Sequence, residues 1–260
     1  MIAEPIGIYK TGLNYKYELP RQGFLHTENP GRIELFSGRG FEQALRDLEG
    51  FERIWVVFHF HENAHWRPTV RPPVPPADHE RVGVFASRSP YRPNPIGLSC
   101  VKLLNVSGLT LWIDEADMLN ETPVLDIKPY IPKADAFPQA KAGWVDAQTG
   151  GAWNITLSET FRMQNEWIEN AQHLSPAHFA GVQLRENPFD GKQKRVRRLS
   201  ETQGILAYRT FRLHFSILQP AEIILEYIQS AYTPEDLENP EDLYGDKETH
   251  RKFQTIWPRK

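Results

Sequence analysis

Apolar and polar positions alternate along much of the chain. Phe211, Leu213, Phe215 and Ile217 alternate with Arg212, His214 and Ser216, and Trp153, Ile155 and Leu157 alternate with Asn154, Thr156 and Ser158. A period of two is the mark of a half-buried strand. The segment EIILEYIQ pairs with the first of these as a hairpin across Gln219-Pro220. In the first half, FERIWVVFHF (51–60) is a β-branched and aromatic run that predicts a largely buried strand. Further strands are predicted near 81–86, 96–105 and 109–117, and over PVLDIKPYIP. One helix is expected there, with Phe41, Ala44, Leu45 and Leu48 at i, i+3, i+4 and i+7 and Gly50 as its stop. WRPTVRPPVPP (66–76) is predicted to be an extended basic loop, because proline removes donors and fixes φ. After a change of texture near Gly143 to Gly151, helices are predicted over 159–172 and 176–187, followed by a polar, basic loop, NPFDGKQKRVRRL. From Thr233 onward the chain is charged and poorly periodic.

These patterns predict a mainly β protein with an α+β addition. Residues 1–145 form a small β-barrel of many short strands, 146–232 a smaller α+β domain, and 233–260 a charged tail that is loosely ordered or docks on a partner. With 260 residues the chain can bury a core without staples, and Cys100, the single cysteine, excludes an internal disulfide. A reducing cytoplasm fits that usage. No apolar run reaches membrane-spanning length, and no basic then apolar leader is present. The net charge of −3 does not advertise a polyanion binder, so any such site has to be local.

Local chemistry concentrates in GVFASRSPYRPNPIGLSCV (83–101). Arg88, Arg92 and Asn94 are mounted on a backbone stiffened by Pro90, Pro93 and Pro95. Guanidinium presents a permanent planar fork that suits carboxylate or phosphate, and flanking prolines lower the entropy lost on ordering. The reading is a rigid anion clamp; the bland alternative is a surface loop salt-bridged to acidic neighbours. A second basic cluster, Lys192, Lys194, Arg195, Arg197 and Arg198, together with Arg67 and Arg71, could track a phosphate backbone or be merely solvated. Other chemistries find little support. SGRGFEQAL has G-x-G before a helix but no third glycine and no βαβ context. His59, His61 and His65 with Glu62 lack a spacing that compels a metal. Cys100 lies in an apolar strand pattern and reads as an inert thiol.

GVFASRSPYRPNPIGLS, with WRPTVRPP upstream and TPVLDIKPY downstream, resembles the TrmO (TsaA-like) family of tRNA methyltransferases, and the shorter LPRQ (19–22) and FHFHE (58–62) fall where that family has similar segments. The close match covers about residues 1–140, with weaker agreement through NPFDGKQKR and the hairpin after it. The resemblance implies a donor site for S-adenosylmethionine on a non-Rossmann barrel. It implies methylation at N6 of threonylcarbamoyladenosine at position 37, beside the anticodon of threonine tRNA, and a cytoplasmic homodimer. Carried over by position, donor contacts fall on Pro20, Arg21, Gln22, His61, Glu62, Arg88, Leu98, Asn120, Glu121, Thr122 and Pro123. Arg92, Asn94, Asp126, Lys128 and Tyr130 belong to the same signature and are expected to line the same cleft. Arg88 is assigned to the donor and Arg92 to the threonyl carboxylate or a phosphate. Asp126, His61 or Glu62 could take the proton. Where many relatives have Asp-Gly before Thr-Pro, this chain has Asn120-Glu121.

Two rivals stand beside the methyltransferase: a non-catalytic module that binds S-adenosylmethionine or RNA, and a metal hydrolase built on His59, His61 and Glu62. Both arginines, LPRQ and DIKPY favour catalysis, since a sensor has no need of an acceptor cleft.

Overall fold

The computed structural model describes residues 3–16, 18–19, 30–72, 76, 80–146, 153–185, 188–189, 195–218 and 221–259. The chain divides into two compact units, Met1–Thr149 and Gly150–Lys260.

The first unit is built on a closed antiparallel barrel. Its strands are β1 (Gly7–Lys10), β2 (Gly31–Leu35), β3 (Arg53–His59), β6 (Ile96–Ser107), β7 (Thr110–Asp114) and β8 (Thr122–Pro129). They close in the order β1-β2-β7-β6-β3-β8, with β1 pairing β8. Closure removes the free edges that short strands would otherwise expose. The period of two read in the sequence sends Ile54, Val56 and Phe58 of β3 inward against Tyr9, Ile33, Val101, Leu111, Ile113 and Val124. Bulges between Val57 and Phe58 and between Leu103 and Asn105 adjust the register. The β6–β7 hairpin turns on Gly108 at φ 59, the first central position of a two-residue loop, where only glycine is unstrained. Gly97 is required for another reason: a Cβ there would strike the Phe58 ring.

Three local expectations for this unit change. The helix predicted over 41–49 is only a turn, α1 (Phe41–Ala44), followed by a 3-10 turn at Leu48–Gly50, because Asp47 at φ 67 breaks the run between them. The Pro-rich loop is not wholly irregular. Thr69 and Val70, free of proline, form β4 and pair with β5 (Val82–Gly83), and Val70, Val82 and Val84 make a small satellite core joined by Tyr91 and Trp144. The strand expected at 81–86 stops at Gly83 and passes into a 3-10 turn at Val84–Ala86. A short helix, α2 (Pro132–Asp135), follows the barrel.

The second unit holds β9 (Asn154–Leu157), β10 (Val196–Arg198), β11 (Gln203–Tyr208), β12 (Phe211–Leu218) and β13 (Glu222–Ser230) in one sheet, order β10-β11-β12-β13-β9, with β9 parallel to β13. The predicted β12–β13 hairpin forms; Gln219 and Pro220 lie outside the described residues. Helices α3 (Glu159–Gln172) and α4 (Pro176–Leu184) are capped by Ser158 and Ser175, whose side chains accept from Phe161 N and His178 N. The basic segment after 190, expected as loop, contributes β10 where Val196–Arg198 finds a partner in β11.

Residues 233–260, expected as a charged tail, form α5 (Pro234–Glu238) and α6 (Lys247–Ile256) and pack onto this unit. Periodicity was hidden because the anchor is partly polar. His250 is fully buried, with Nδ1 2.8 Å from Ser230 Oγ and Nε2 2.9 Å from Thr210 Oγ1. Phe253 packs against Phe211 and Trp167.

Candidate functional site

Antiparallel pairing brings the end of β3, the start of β6 and the start of β8 to one rim of the barrel. His59 pairs with Ile96, Phe58 pairs with Val124, and Phe60 N donates to Pro95 O at 2.8 Å. Segments far apart in sequence are tied together there. Thr122 Oγ1 lies 3.5 Å from His61 Nδ1. Lys16 Nζ reaches Glu62 O and, at 3.2 Å, Asn63 Oδ1. Asn120 Oδ1 accepts from Thr11 N at 3.1 Å, and its Nδ2 donates to Asn14 Oδ1 at 3.1 Å. His61, Glu62, Asn120, Glu121, Thr122 and Pro123 thus share the rim with residues 11–16. Pro20, Arg21 and Gln22 lie outside the described residues.

Glu121 answers the question raised by the missing glycine. It is the third residue of a turn closed by Thr122 N to Leu119 O at 3.3 Å, and it adopts φ 64. This is a position that turns commonly give to glycine. The backbone keeps the conformation and Glu121 bears the strain, with its carboxylate 2.6 Å from Lys10 Nζ.

The two arginines of the Pro-rich loop have different jobs. Arg92 Nη1 donates to Ser87 O at 2.8 Å and to Val84 O at 3.1 Å, and its guanidinium lies over the Phe85 ring. It staples its own loop. Arg88 is exposed, and its charge acts on Asp117. Trp144 Nε1 donates to Ala86 O at 2.9 Å, and Ser87 Oγ to Val84 O at 2.9 Å, so the backbone that carries Arg88 is fixed on several sides. Asn94 is exposed, and its carbonyl accepts from Ile96 N at 2.7 Å.

Sequence reasoning missed Asp117 and Ser99. Ser99, inward-facing on β6, donates to Asp117 Oδ1. Burial pushes the Asp117 carboxyl above the ordinary carboxylate value, against the Ser99 hydrogen bond and the Arg88 charge. A carboxyl perturbed by burial within the field of a cation is a candidate functional group. Only its place between apolar Ala116 and the apolar pair Met118-Leu119 could have hinted at it.

Asp126, opposite Val57, lies one pair from the rim contact of Phe58 with Val124, whereas Lys128 and Tyr130 do not share the rim. They continue along β8 away from it, and Tyr130 N bonds Arg53 O where β3 begins, about 26 Å from Thr122 at 3.3 Å per residue. Asp126 is opposite Val57 and Val57 is opposite Leu98, which places all three on the outer barrel face, where Leu98 is 56% exposed. Lys128 Nζ is 2.7 Å from Asp126. Tyr130 stands edge-on to Trp55. Cys100 is half-buried, and burial pushes its thiol up, as an inert thiol requires. Among the described residues, no group of three or more His, Cys, Asp or Glu is arranged to hold a metal ion.

The basic set also divides. Arg67 lies over the Tyr91 ring and is exposed, and Arg71 is half-buried. Lys192 and Lys194 lie outside the described residues. Arg195 and Arg197 share one side of β10, whereas Arg198, on the alternate side, donates to Ser200 O at 2.8 Å and covers the Phe189 ring.

Comparison with known proteins places this architecture. Residues 8–136 match the tRNA-methyltransferase O N-terminal domain. A tRNA (adenine(37)-N6)-methyltransferase of Escherichia coli is 38% identical over 171 residues, 64% of this chain and 72% of the relative. A relative from Pseudomonas aeruginosa, whose name refers to S-adenosylmethionine-dependent methyl transfer, is 37% identical over 184 residues, 70% of this chain and 74% of its own length. The crystal structure of TrmO from Pseudomonas aeruginosa superposes with a TM-score of 0.63 at 27% identity, covering 88% of this chain and 98% of that one. The non-Rossmann barrel, its converging rim and these likenesses agree: the chain belongs to the TrmO family of tRNA methyltransferases.

Proposed function

We propose that this chain transfers a methyl group from S-adenosylmethionine to N6 of threonylcarbamoyladenosine at position 37 of threonine tRNA. The observation that carries the reading is the rim itself, where His61 meets Thr122, Asn120 meets Thr11, and Phe60 N donates to Pro95 O at the end of the segment that carries Arg88. The residues fit the donor. Arg88 offers an exposed guanidinium to a carboxylate, Leu98 offers exposed apolar surface, and Asp117 a carboxylate for a cationic group. When bound, the donor supplies an electrophilic methyl on a sulfonium.

The chain's own task is mainly alignment, which can account for much of the acceleration of a bimolecular step. Arg92 holds the loop from Val84 to Ser87 and so fixes the direction in which Arg88 points. This revises the assignment of Arg92 to the threonyl carboxylate; its Nη1 is committed to the loop. Asp117, on which the Arg88 charge acts, joins Asp126, His61 and Glu62 as a group able to take the proton from the accepting nitrogen. Asp126, Lys128 and Tyr130, lying on the outer barrel face, act on the acceptor if a second copy completes the cleft. Exposed Ile96, Leu98 and Phe85 are apolar surface suited to such a homodimer. Arg67, Arg71, Arg195 and Arg197 are the described candidates for tRNA phosphates. No helix among the described residues is long and apolar enough to cross a membrane, and we assign the enzyme to the cytoplasm.

The test is incubation with labelled donor and threonine tRNA carrying or lacking the threonylcarbamoyl group, followed by mass spectrometry of the nucleosides. Methylation of the carrying tRNA alone is expected. Donor binding without transfer to either would favour the non-catalytic module.

A further inference from the structure

The outer rows of the second unit's sheet form a cavity with a single charge sign. Across the strands, Arg197 is opposite Ile205 and Ile205 opposite His214, while Ala207 is opposite Arg212 and Arg212 opposite Gln229. These residues, with Arg195 and Arg259, line an open cavity of about 350 Å³. Ile205 and Ala207 are short enough to leave a hollow between the long side chains. Four arginines converge there, and among the described lining residues there is no carboxylate.

Two observations single out the Arg197–Arg212 pair and His214 within this lining. The Arg212 guanidinium is pushed below its ordinary value by burial and by the charge of Arg197. Like charges this close cost energy unless an anion joins them. His214, stacked on Tyr227 with ring centroids 4.2 Å apart, has Nε2 buried without a hydrogen-bond partner. A buried imidazole nitrogen left without a partner beside a hollow is suited to a ligand oxygen. Arg212 is held in place by its bonds to Phe211 O at 2.8 Å and Arg209 O at 3.2 Å. Arg259 comes from the segment after α6, which the buried His250 anchors, so the C-terminal helices serve to deliver a cation.

We infer that this cavity is a phosphate-binding pocket that takes one backbone phosphate of the RNA substrate, held by Arg197, Arg212, Arg259 and His214. Guanidinium forks converging on one hollow suit the oxygens of a tetrahedral oxyanion. The inference rests on the RNA substrate proposed above. It also separates Arg197 from Arg198, which sequence proximity had grouped together.

The test measures binding of unmodified threonine tRNA transcript to the full chain across a salt series, with donor affinity by calorimetry alongside. The double variant Arg197→Gln/Arg212→Gln is expected to bind tRNA roughly ten- to a hundredfold more weakly, with donor affinity unchanged. Because one phosphate is lost and not two, the slope of log affinity against log salt should fall by about 0.7 to 0.9. Arg212→Lys should recover part of the affinity, and Arg198→Gln should change it less than threefold. Arg259→Gln, which breaks no internal bond of the sheet, should weaken binding in the same direction and guards against misfolding of the double variant. Unchanged affinity and slope in both the double variant and Arg259→Gln would overturn the pocket. If pyrophosphate bound with an affinity that depended on Arg212 while tRNA binding did not respond, the RNA assignment would be overturned in favour of a small phosphate ligand. If wild-type chain bound tRNA through these arginines but transferred no methyl group, the methyltransferase reading would fail and the pocket would stand.

Discussion

Replacing Glu121 with glycine tests whether the barrel rim keeps a strained backbone. Glu121 sits at φ 64, where an L residue costs about 1–2 kcal/mol. The Lys10 pair at 2.6 Å is partly exposed at both ends and contributes about 0.2–1 kcal/mol. Glu121→Gly relieves the strain and loses the pair, and it loosens the unfolded chain by about 0.4–1 kcal/mol. These contributions nearly cancel, so the glycine variant should stay within about 1 kcal/mol of the parent. Glu121→Ala loses the pair and keeps the strain. It should therefore be less stable than the glycine variant by about 0.8 kcal/mol, the central difference between strain relief and chain entropy. Urea unfolding of the two variants side by side measures that difference. Donor affinity of Glu121→Gly should stay within about threefold of the parent, a shift below 0.7 kcal/mol, because the turn geometry is already that of a glycine. An alanine variant as stable as the glycine one would refute the strain argument.

Arg92→Ala should loosen the loop and lower donor affinity indirectly, costing stability of about 1.5–3 kcal/mol for a charged hydrogen-bond donor; Arg88→Ala should lower donor affinity with little change in the urea midpoint, and equal stability loss in both would contradict the division of roles. Asp117 carries a carboxyl pushed up by burial, so its ionisation costs stability above the ordinary carboxylate pKa. Asp117→Asn should therefore raise stability at neutral pH relative to acid pH while reducing methyl transfer, and an undiminished transfer rate would remove it as proton acceptor. Burial pushes the Asp246 carboxyl up, but hydrogen bonds from His250, Thr210 and Tyr232 outweigh it and hold it below its ordinary value. Its contribution is present above the unfolded pKa and lost as pH falls through the folded one, so Asp246→Asn should cost about 1–3 kcal/mol near neutral pH and flatten the acid limb of the stability profile.

The barrel strands were legible because each buries one face, and alternation records that directly: Ile54, Val56 and Phe58 are buried where the period requires. The predicted helix over 41–49 failed because one residue, Asp47, takes a positive φ that no periodicity reveals. The C-terminal helices were missed because His250, Ser230 and Thr210 form a buried polar anchor, and polar residues read as surface in a one-dimensional pattern. The Arg–Pro loop pointed to a rigid mount in the sequence, but the contacts of its arginines depend on which carbonyls fold back within reach of Arg92. Asp117 was invisible for a similar reason: its partner Ser99 is eighteen residues away, across the β6–β7 hairpin. Likewise, adjacency in sequence grouped Arg197 with Arg198, whereas the strand pleat sends them to opposite sides.

The atom that receives the methyl group tests the account most directly. Threonylcarbamoyladenosine offers both N6 and a carboxylate, and the proposed reaction delivers the methyl group to N6. Labelled methyl traced into digested threonine tRNA is predicted to survive mild alkali and to fragment with the adenine base. Label released by mild alkali would mark a methyl ester on the threonyl carboxylate and would contradict the proposed geometry.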